Sequence, residues 1–372
     1  MTCPRDPVAA VTHPDPSSYY ALLAARQPFY RDENLGLWVA AGAGPVAEVL
    51  ASPVCHVRPV HEPVPNAIAG TPAAEIFRHL VRMRDDPKRT ALKAAIVKAL
   101  AMVEPRDAME ASATLAAQLA ADLSEEKPDL AGFAFSLPVQ VVARLLGFLD
   151  EALTSVATSL TLFVAGLSPL AGTQTVEASI EAASDLMAEM RAHLASDGRH
   201  SAFCRTLIAE AERAGCHDAD EIAANAIGLM MQAQEATAGL IGNVLVRLCR
   251  DPSLRLAVSR DAASLASIIQ EVLWRDLPIQ NTRRYVARET VIAGQALKPG
   301  EGILVILAAA QQDADASGRG MLAFGEGRHA CPARNLASAI AEAGVARLLD
   351  RDGLADMALP VYRRSVNARI PF

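Results

Sequence analysis

The chain is 372 residues long, 51% hydrophobic and only 4% aromatic, with a formal net charge of −7 from interspersed acids and bases. That length suits one large domain or two small ones; the scarcity of aromatic residues speaks against an all-β sandwich, and no basic stripe marks a nucleic-acid surface. Cysteines at 3, 55, 204, 216, 249 and 331 show no paired spacing, so neither a disulfide framework nor a zinc site is implied, and they fit a reducing compartment.

No linker rich in Pro, Gly or Ser divides the chain and no repeat period shows, so a single domain over 1–372 is expected. Met1-Thr2-Cys3-Pro4-Arg5-Asp6 lacks an apolar signal core, which points to the cytoplasm. After an irregular entry a short helix is predicted over 17–26. Phe29-Tyr30-Arg31 and Gly36-Leu37-Trp38-Val39 flank Asp32-Glu33-Asn34-Leu35 in the manner of a β-hairpin. A short helix follows over 45–51, and proline-rich 53–72 must be loop. Helical periodicity then dominates, over 89–100, 105–123, 135–146, 151–165, 176–195, 201–214, 219–250 and 263–275. The uncharged run 152–176 is long enough to span a bilayer, but Ser and Thr residues, Pro169 and Gly172 interrupt it and charged helical sequence flanks it. A soluble helix–loop–helix with no membrane insertion is the reading. Leu297-Lys298-Pro299-Gly300 is predicted as a turn between two short strands, 290–292 and 303–307, and 359–372 as extended.

The chain is organised around Phe324-Gly325-Glu326-Gly327-Arg328-His329-Ala330-Cys331-Pro332-Ala333-Arg334, with an Ala-rich helical pattern over 332–349. Cys331 is expected at the mouth of that helix, with Pro332 at its first position, where a missing N–H costs nothing. Unpaired N–H groups and the positive end of the helix dipole would there lower the thiol pKa and favour the thiolate, the form that ligates metal. Gly325 and Gly327 let the backbone bend tightly and leave room for something flat. The bland alternative is a buried structural cysteine beside a glycine turn.

The stretch resembles the haem-binding loop of the cytochrome P450 family, Phe-Gly-x-Gly-x-His-x-Cys-x-Gly. It matches at Phe324, Gly325, Gly327, His329 and Cys331, with Ala333 for the last glycine. The order of elements is consistent with that resemblance, to the bacterial, soluble type, across nearly the whole chain. It implies a mainly α fold with a small β region, holding haem between the long central helix and the helix after the cysteine loop. The implied cofactor is haem b (iron protoporphyrin IX), with Phe324 in its loop and Cys331 as the axial ligand to iron; a thiolate pushes electron density onto iron and favours O–O cleavage. Arg89 stands where the family has a propionate-binding histidine and Lys93 where it has arginine; four apart on one predicted helix, they share a face. Arg284 and His329 are the further propionate contacts. For any one of these residues alone, a solvated surface charge is the default.

On the oxygen side the family pattern Ala/Gly-Gly-x-Asp/Glu-Thr-Thr or Ser falls on Gln232-Ala233-Gln234-Glu235-Ala236-Thr237. Glu235 aligns with the acid, Ala236 stands where the oxygen-activating threonine belongs, and Ala233 replaces the glycine. Alanine can neither relay a proton nor hold water. Glu235 as part of a proton path, Thr237 a quarter-turn away, and Gln234 or Gln232 as a water holder are the catalytic candidates; Glu235 is equally well read as a structural hydrogen-bond partner.

Two more departures lie on the proximal side. In Gln270-Glu271-Val272-Leu273-Trp274-Arg275 the family's Glu-x-x-Arg keeps Glu271 but has Trp274 for arginine; Glu271 and Arg275 are four apart, a spacing at which a local ion pair is geometrically allowed. The meander before the cysteine loop is reduced to 311–323, with Arg319 its one arginine, so the haem is expected to be supported from below in another way. The implied substrate pocket draws on 65–74, 160–174, Met231, Gln234, Ala238, 277–281 and Pro360-Val361-Tyr362, mostly apolar, which suits a small apolar or amphipathic molecule.

Three functions follow. The first is a monooxygenase (an oxidoreductase) fed by a ferredoxin-type electron donor and its reductase, with Arg328, Arg334 and Arg347 offering a basic docking face or merely solvated charges. The second is a haem-thiolate enzyme of atypical route, using peroxide or performing coupling or rearrangement, which Ala236 favours. The third is a non-catalytic haem-binding sensor or partner activator, favoured by Trp274 and the short meander and opposed by Cys331.

Overall fold

The computed structural model describes residues 3–125, 128–196, 200–314, 320–351 and 361–371. In chain order the elements are α1 (Pro7–Ala10), α2 (Ser17–Arg26), β1 (Phe29–Asp32), β2 (Leu37–Ala40), α3 (Ala43–Ala51), β3 (Cys55–His56), α4 (Pro72–His79), α5 (Pro87–Leu100), α6 (Pro105–Ala121), α7 (Leu130–Leu146), α8 (Asp150–Gly166), α9 (Thr173–Ala195) and α10 (Ala202–Arg213). There follow α11 (Ala219–Arg250), α12 (Pro252–Arg260), α13 (Ala263–Arg275), β4 (Asn281–Val286), β5 (Thr290–Ile292), β6 (Gln295–Leu297), β7 (Gly302–Ile306), α14 (Leu307–Gln312) and α15 (Arg334–Leu349). The fold is mainly α with a small β region, as the sequence implies.

Capping chemistry sets many of the helix starts. The side chains of Asp6, Thr71, Asp86, Asp129, Ser201 and Asp251 each accept a first-turn backbone N–H, and in α1, α4, α5 and α12 a proline follows at once. Three of those helices, α1, α4 and α12, are too short to show in the periodicity. The Asp129 cap also starts α7 five residues earlier than the apolar pattern suggests, leaving Pro138 inside a helix that is buried along most of its length. Among the described residues no helix is long and apolar enough to cross a membrane; the run 152–176 is α8, a turn and the start of α9.

The chain divides into two compact units. The first comprises Met1–Val60, Ala238–Arg334 and Leu348–Phe372; the second comprises His61–Thr237 and Asn335–Arg347. The first holds both sheets. Its larger sheet has the order β1-β2-β7-β4-β3, with β2 and β7 parallel and the other pairs antiparallel; the smaller is the β5-β6 hairpin. The strands predicted at 290–292 and 303–307 therefore do not pair with one another. Thr290–Ile292 turns back on Gln295–Leu297 through a tight turn at Ala293 (φ 48°) and Gly294 (φ 76°), and β7 goes to the larger sheet. Being central, β7 is buried on both faces, and reads Gly-Ile-Leu-Val-Ile without alternation. Ile303 and Val305 pack with Val46, Val49 and Leu50 of α3, while Leu304 and Ile306 pack with Tyr20, Leu23 and Ala24 of α2. This period-two division places α3 and α2 on opposite faces of one strand.

In the second unit α8 lies along α9, where the buried Ser179 hydroxyl donates to the Phe163 carbonyl at 2.7 Å. Leu160, Phe163, Leu186 and Met190 are fully buried there. Each such side chain contributes about 1.5–3 kcal/mol on removal from water.

Candidate functional site

The loop predicted to matter most is closed by its own backbone. Leu322–Phe324 forms a short 3-10 turn in which the Gly325 N–H donates to the Leu322 carbonyl at 2.8 Å. Gly325 has φ 66° and ψ −178°, a region that side chains exclude and glycine alone populates. Gly327 has φ 67°, and a Cβ there would meet the Leu50 carbonyl oxygen at the end of α3 at 3.2 Å. The Ala330 N–H then donates to the Gly327 carbonyl at 3.0 Å, and the Cys331 N–H to the Phe324 carbonyl at 2.8 Å. The Arg328 guanidinium donates to the Cys55 carbonyl of β3 at 3.1 Å, and Arg334 sits 5.9 Å from the Phe324 ring centre. Cys331 is partly exposed.

The helix after the loop begins at Arg334 with Ala333 as its cap, so Pro332 lies in the turn ahead of it rather than at its first position. The physical reason is the Cys331–Phe324 bond: the chain must complete that closure before it can adopt helical angles. Cys331 thus stands three residues ahead of α15, held by the loop.

The cationic candidates are buried or partly buried. Arg284 on β4 is 6% exposed, and its Nη1 donates to the Thr282 hydroxyl at 3.2 Å and the Arg283 carbonyl at 2.8 Å. His329 is partly exposed in the second 3-10 turn, Gly327–His329. Arg89 on α5 is 5% exposed and Lys93, one turn on, is partly exposed. The start of α5 is braced electrostatically. Arg84 donates to both Asp86 oxygens at 2.6 and 3.0 Å and pairs with Glu221 in the first turn of α11. Burial pushes the Asp86 carboxyl up, but the Arg84 hydrogen bonds and charge prevail and hold it below the usual carboxylate range. Arg284, Phe324, His329 and Cys331 thus belong to the first unit, and Arg89, Lys93, Gln234, Glu235 and Thr237 to the second.

In the middle of α11, most residues are buried, but Leu229, Gln232, Ala233 and Ala236 form an accessible stripe at the spacing of one helical face. That stripe carries no hydroxyl. Gln232 donates to the Gly228 carbonyl of its own helix at 2.8 Å. Gln234 is 1% exposed and donates to the Thr161 hydroxyl of α8 at 2.7 Å, which commits its amide nitrogen to packing. Thr237 lies off the stripe, 1% exposed, and its hydroxyl has no hydrogen-bond partner among the described residues. Glu235 is partly exposed.

On α13, Glu271 pairs with Arg275 at 3.5 Å, as its spacing allows, and with Arg247 of α11 at 3.4 Å. Trp274 is 41% exposed. Arg319 and Pro360 fall outside the described residues, and Tyr362 is buried. Sequence reasoning passed over Gln311, 4% exposed, whose amide joins the end of α13 to Leu322 at the head of the cysteine loop. A glutamine closing an Ala-rich run was the only available signal.

Burial raises the thiol pKa of Cys55, Cys204, Cys216 and Cys249. Burial pushes Cys204 up to about 11, and burial with the Glu221 carboxylate pushes Cys216 up to about 12. Among the described residues no group of three or more His, Cys, Asp or Glu side chains could hold a metal ion.

No family model matches the chain. It is similar to Cytochrome P450 107B1 of Saccharopolyspora erythraea, 28% identical over 72% of this chain and 68% of that protein. It is also similar to the 20-oxo-5-O-mycaminosyltylactone 23-monooxygenase of Streptomyces fradiae, 27% identical over 93% of this chain and 84% of that protein. Among solved structures, CalO2 superposes with a TM-score of 0.86 at 20% identity, covering 100% of this chain and 97% of that one.

Proposed function

Since this chain belongs to the cytochrome P450 family, we propose that it is a monooxygenase acting on a small apolar or amphipathic organic molecule, with dioxygen and electrons from a ferredoxin-type donor and its reductase. Its cofactor is haem b, which when bound supplies the iron at which oxygen is activated. In this reading the whole chain acts as one haem domain in the cytoplasm. Cys331 donates its thiolate to iron; Arg284, His329, Arg89 and Lys93 neutralise the propionates; Phe324 lies in the ligand loop. The observation that carries the reading is the closed loop from Phe324 to Cys331. Its glycines hold backbone angles that other residues resist, which leaves the sulfur presented and the loop free of side chains at Gly325 and Gly327. Buried Arg284 and Arg89 add to that support, since charges are rarely buried without a task.

The reduced, CO-bound absorption spectrum tests the reading. A thiolate-type red-shifted Soret band is expected, abolished in Cys331→Ser; folded, haem-loaded protein without that band would overturn it.

A second reading, an atypical oxygen route such as peroxide use or coupling, is favoured by one observation: the accessible stripe on α11 offers Ala233 and Ala236 and no hydroxyl. Product formed with peroxide but not with an electron donor would select it. Under the first reading Ala236→Thr raises the fraction of electrons recovered as product, and no change counts against the role given to that position.

A further inference from the structure

Gln311 sits in the last turn of α14 with both ends of its amide engaged. Nε2 donates to the Leu273 carbonyl at 3.0 Å and also to that of Trp274, the last residues but one of α13. Oε1 accepts the Leu322 N–H at 2.7 Å. The final carbonyls of a helix have no partner within it, so the amide supplies donors where α13 needs them. Leu322 opens the 3-10 turn whose carbonyl takes the Gly325 N–H, and Phe324 in turn takes the Cys331 N–H. A short series of hydrogen bonds, the first made by the Gln311 side-chain amide and the rest by main chain, therefore runs from α13 through Gln311 to the backbone of Cys331. Because every partner of Gln311 is backbone, it fixes the path of the chain itself.

Among the described residues, the ion pairs on α13 do not supply that link. Glu271 meets Arg275 and Arg247 with a third of its side chain exposed, and such pairs hold little. Trp274 turns toward solvent. We propose that Gln311 is a positioning residue that keeps the Cys331 loop in register with α13, so that the sulfur stays in place as haem ligand. This rests on the reading of Cys331 as that ligand.

The test compares holoprotein of wild type, Gln311→Met and Val156→Ala. Methionine keeps the length of glutamine without its hydrogen bonds; Val156 is buried in α8, and its truncation serves as a destabilising control away from the loop. The readouts are the fraction of reduced CO complex with the thiolate-type Soret band and the rate of haem transfer to apomyoglobin. Gln311→Met is expected to lower the thiolate fraction about threefold and speed haem transfer about tenfold, the scale of leaving buried donors and acceptors unpaired. Val156→Ala, at a comparable loss of denaturation midpoint, is expected to leave both unchanged. Equal effects from the two variants, or none from Gln311→Met, would overturn the proposal while leaving the ligand assignment intact. Absence of the thiolate band in wild type would overturn both. Should Gln311→Met not fold, Gln311→Glu keeps the acceptor for Leu322, loses the donors, and is read against the same criteria.

Discussion

Replacing Gly325 by alanine isolates a backbone effect. A Cβ at this position would have only the His329 carbonyl oxygen near it, at 3.8 Å, an ordinary contact, so space is not limiting. The angles are: φ 66° with ψ −178° places the residue where any side chain collides with its own main chain. Holding a non-glycine residue in such a region costs on the order of 1–3 kcal/mol, and the upper part of that range is expected, because relaxing φ would break the Gly325–Leu322 and Cys331–Phe324 hydrogen bonds. About 2–3 kcal/mol corresponds to roughly 30- to 150-fold in the folded-to-unfolded ratio. Gly36, at φ 63° in the β1–β2 turn with nothing near its Cβ, is the control; there alanine should cost only about 1 kcal/mol. Denaturant unfolding of the holoprotein, followed by far-ultraviolet dichroism and by Soret absorbance, measures both variants. For Gly325→Ala the Soret transition should shift at least as far as the dichroism. A loss no greater than that of Gly36→Ala would refute the claim that the loop depends on a glycine-only conformation.

Thr237→Val should raise stability by about 1 kcal/mol, since it removes a buried hydroxyl that has no hydrogen-bond partner among the described residues; a loss of stability in denaturant unfolding would show that the hydroxyl is satisfied in the folded protein. Arg369 is 1% exposed, pairs with Asp276 at 2.6 Å and donates to the carbonyls of Val11, His13 and Pro14. Arg369→Met should therefore cost about 3 kcal/mol, chiefly by stripping the Val11, His13 and Pro14 carbonyls of a buried donor and less through Asp276, whose side chain is a third exposed; urea unfolding measures it, and a loss below about 1 kcal/mol would contradict that. Asp86, with its carboxyl held below the ordinary range, contributes stability that is complete above the unfolded-state value and is lost as pH falls through the folded-state value. The stability gap between wild type and Asp86→Asn should accordingly shrink on acidification below the carboxylate range; a gap independent of pH would show that the Arg84 contact does not set it.

Much of the architecture was legible because it is written in local chemistry. The periodicity of 219–250 and 263–275 matches α11 and α13 residue for residue, and the hairpin at Asp32-Glu33-Asn34-Leu35 forms where its turn residues lie. Short helices were lost even though Thr71-Pro72 and Asp251-Pro252 are readable starts, because two turns of helix carry too few apolar repeats to stand out. The residues of the cysteine loop were recognisable by type and spacing. Their closure was not, because the Cys331–Phe324 bond forms between main-chain atoms that any residue possesses.

The amino-acid sequence by itself determined the extent of α11 and α13, the position of the β1–β2 turn, and which glycines bend the cysteine loop. Only the tertiary structure decided that β7 joins β2 and β4 instead of the nearby strand at 290–292, that Pro332 precedes its helix, that Gln234 is spent on α8, and that Gln311 ties α13 to Leu322. The division has one physical cause. Caps, turns and periodicity act across a few residues, so the chain states them directly, whereas strand pairing and buried amide bridges depend on which distant backbone atoms are brought within hydrogen-bond reach once the core has closed.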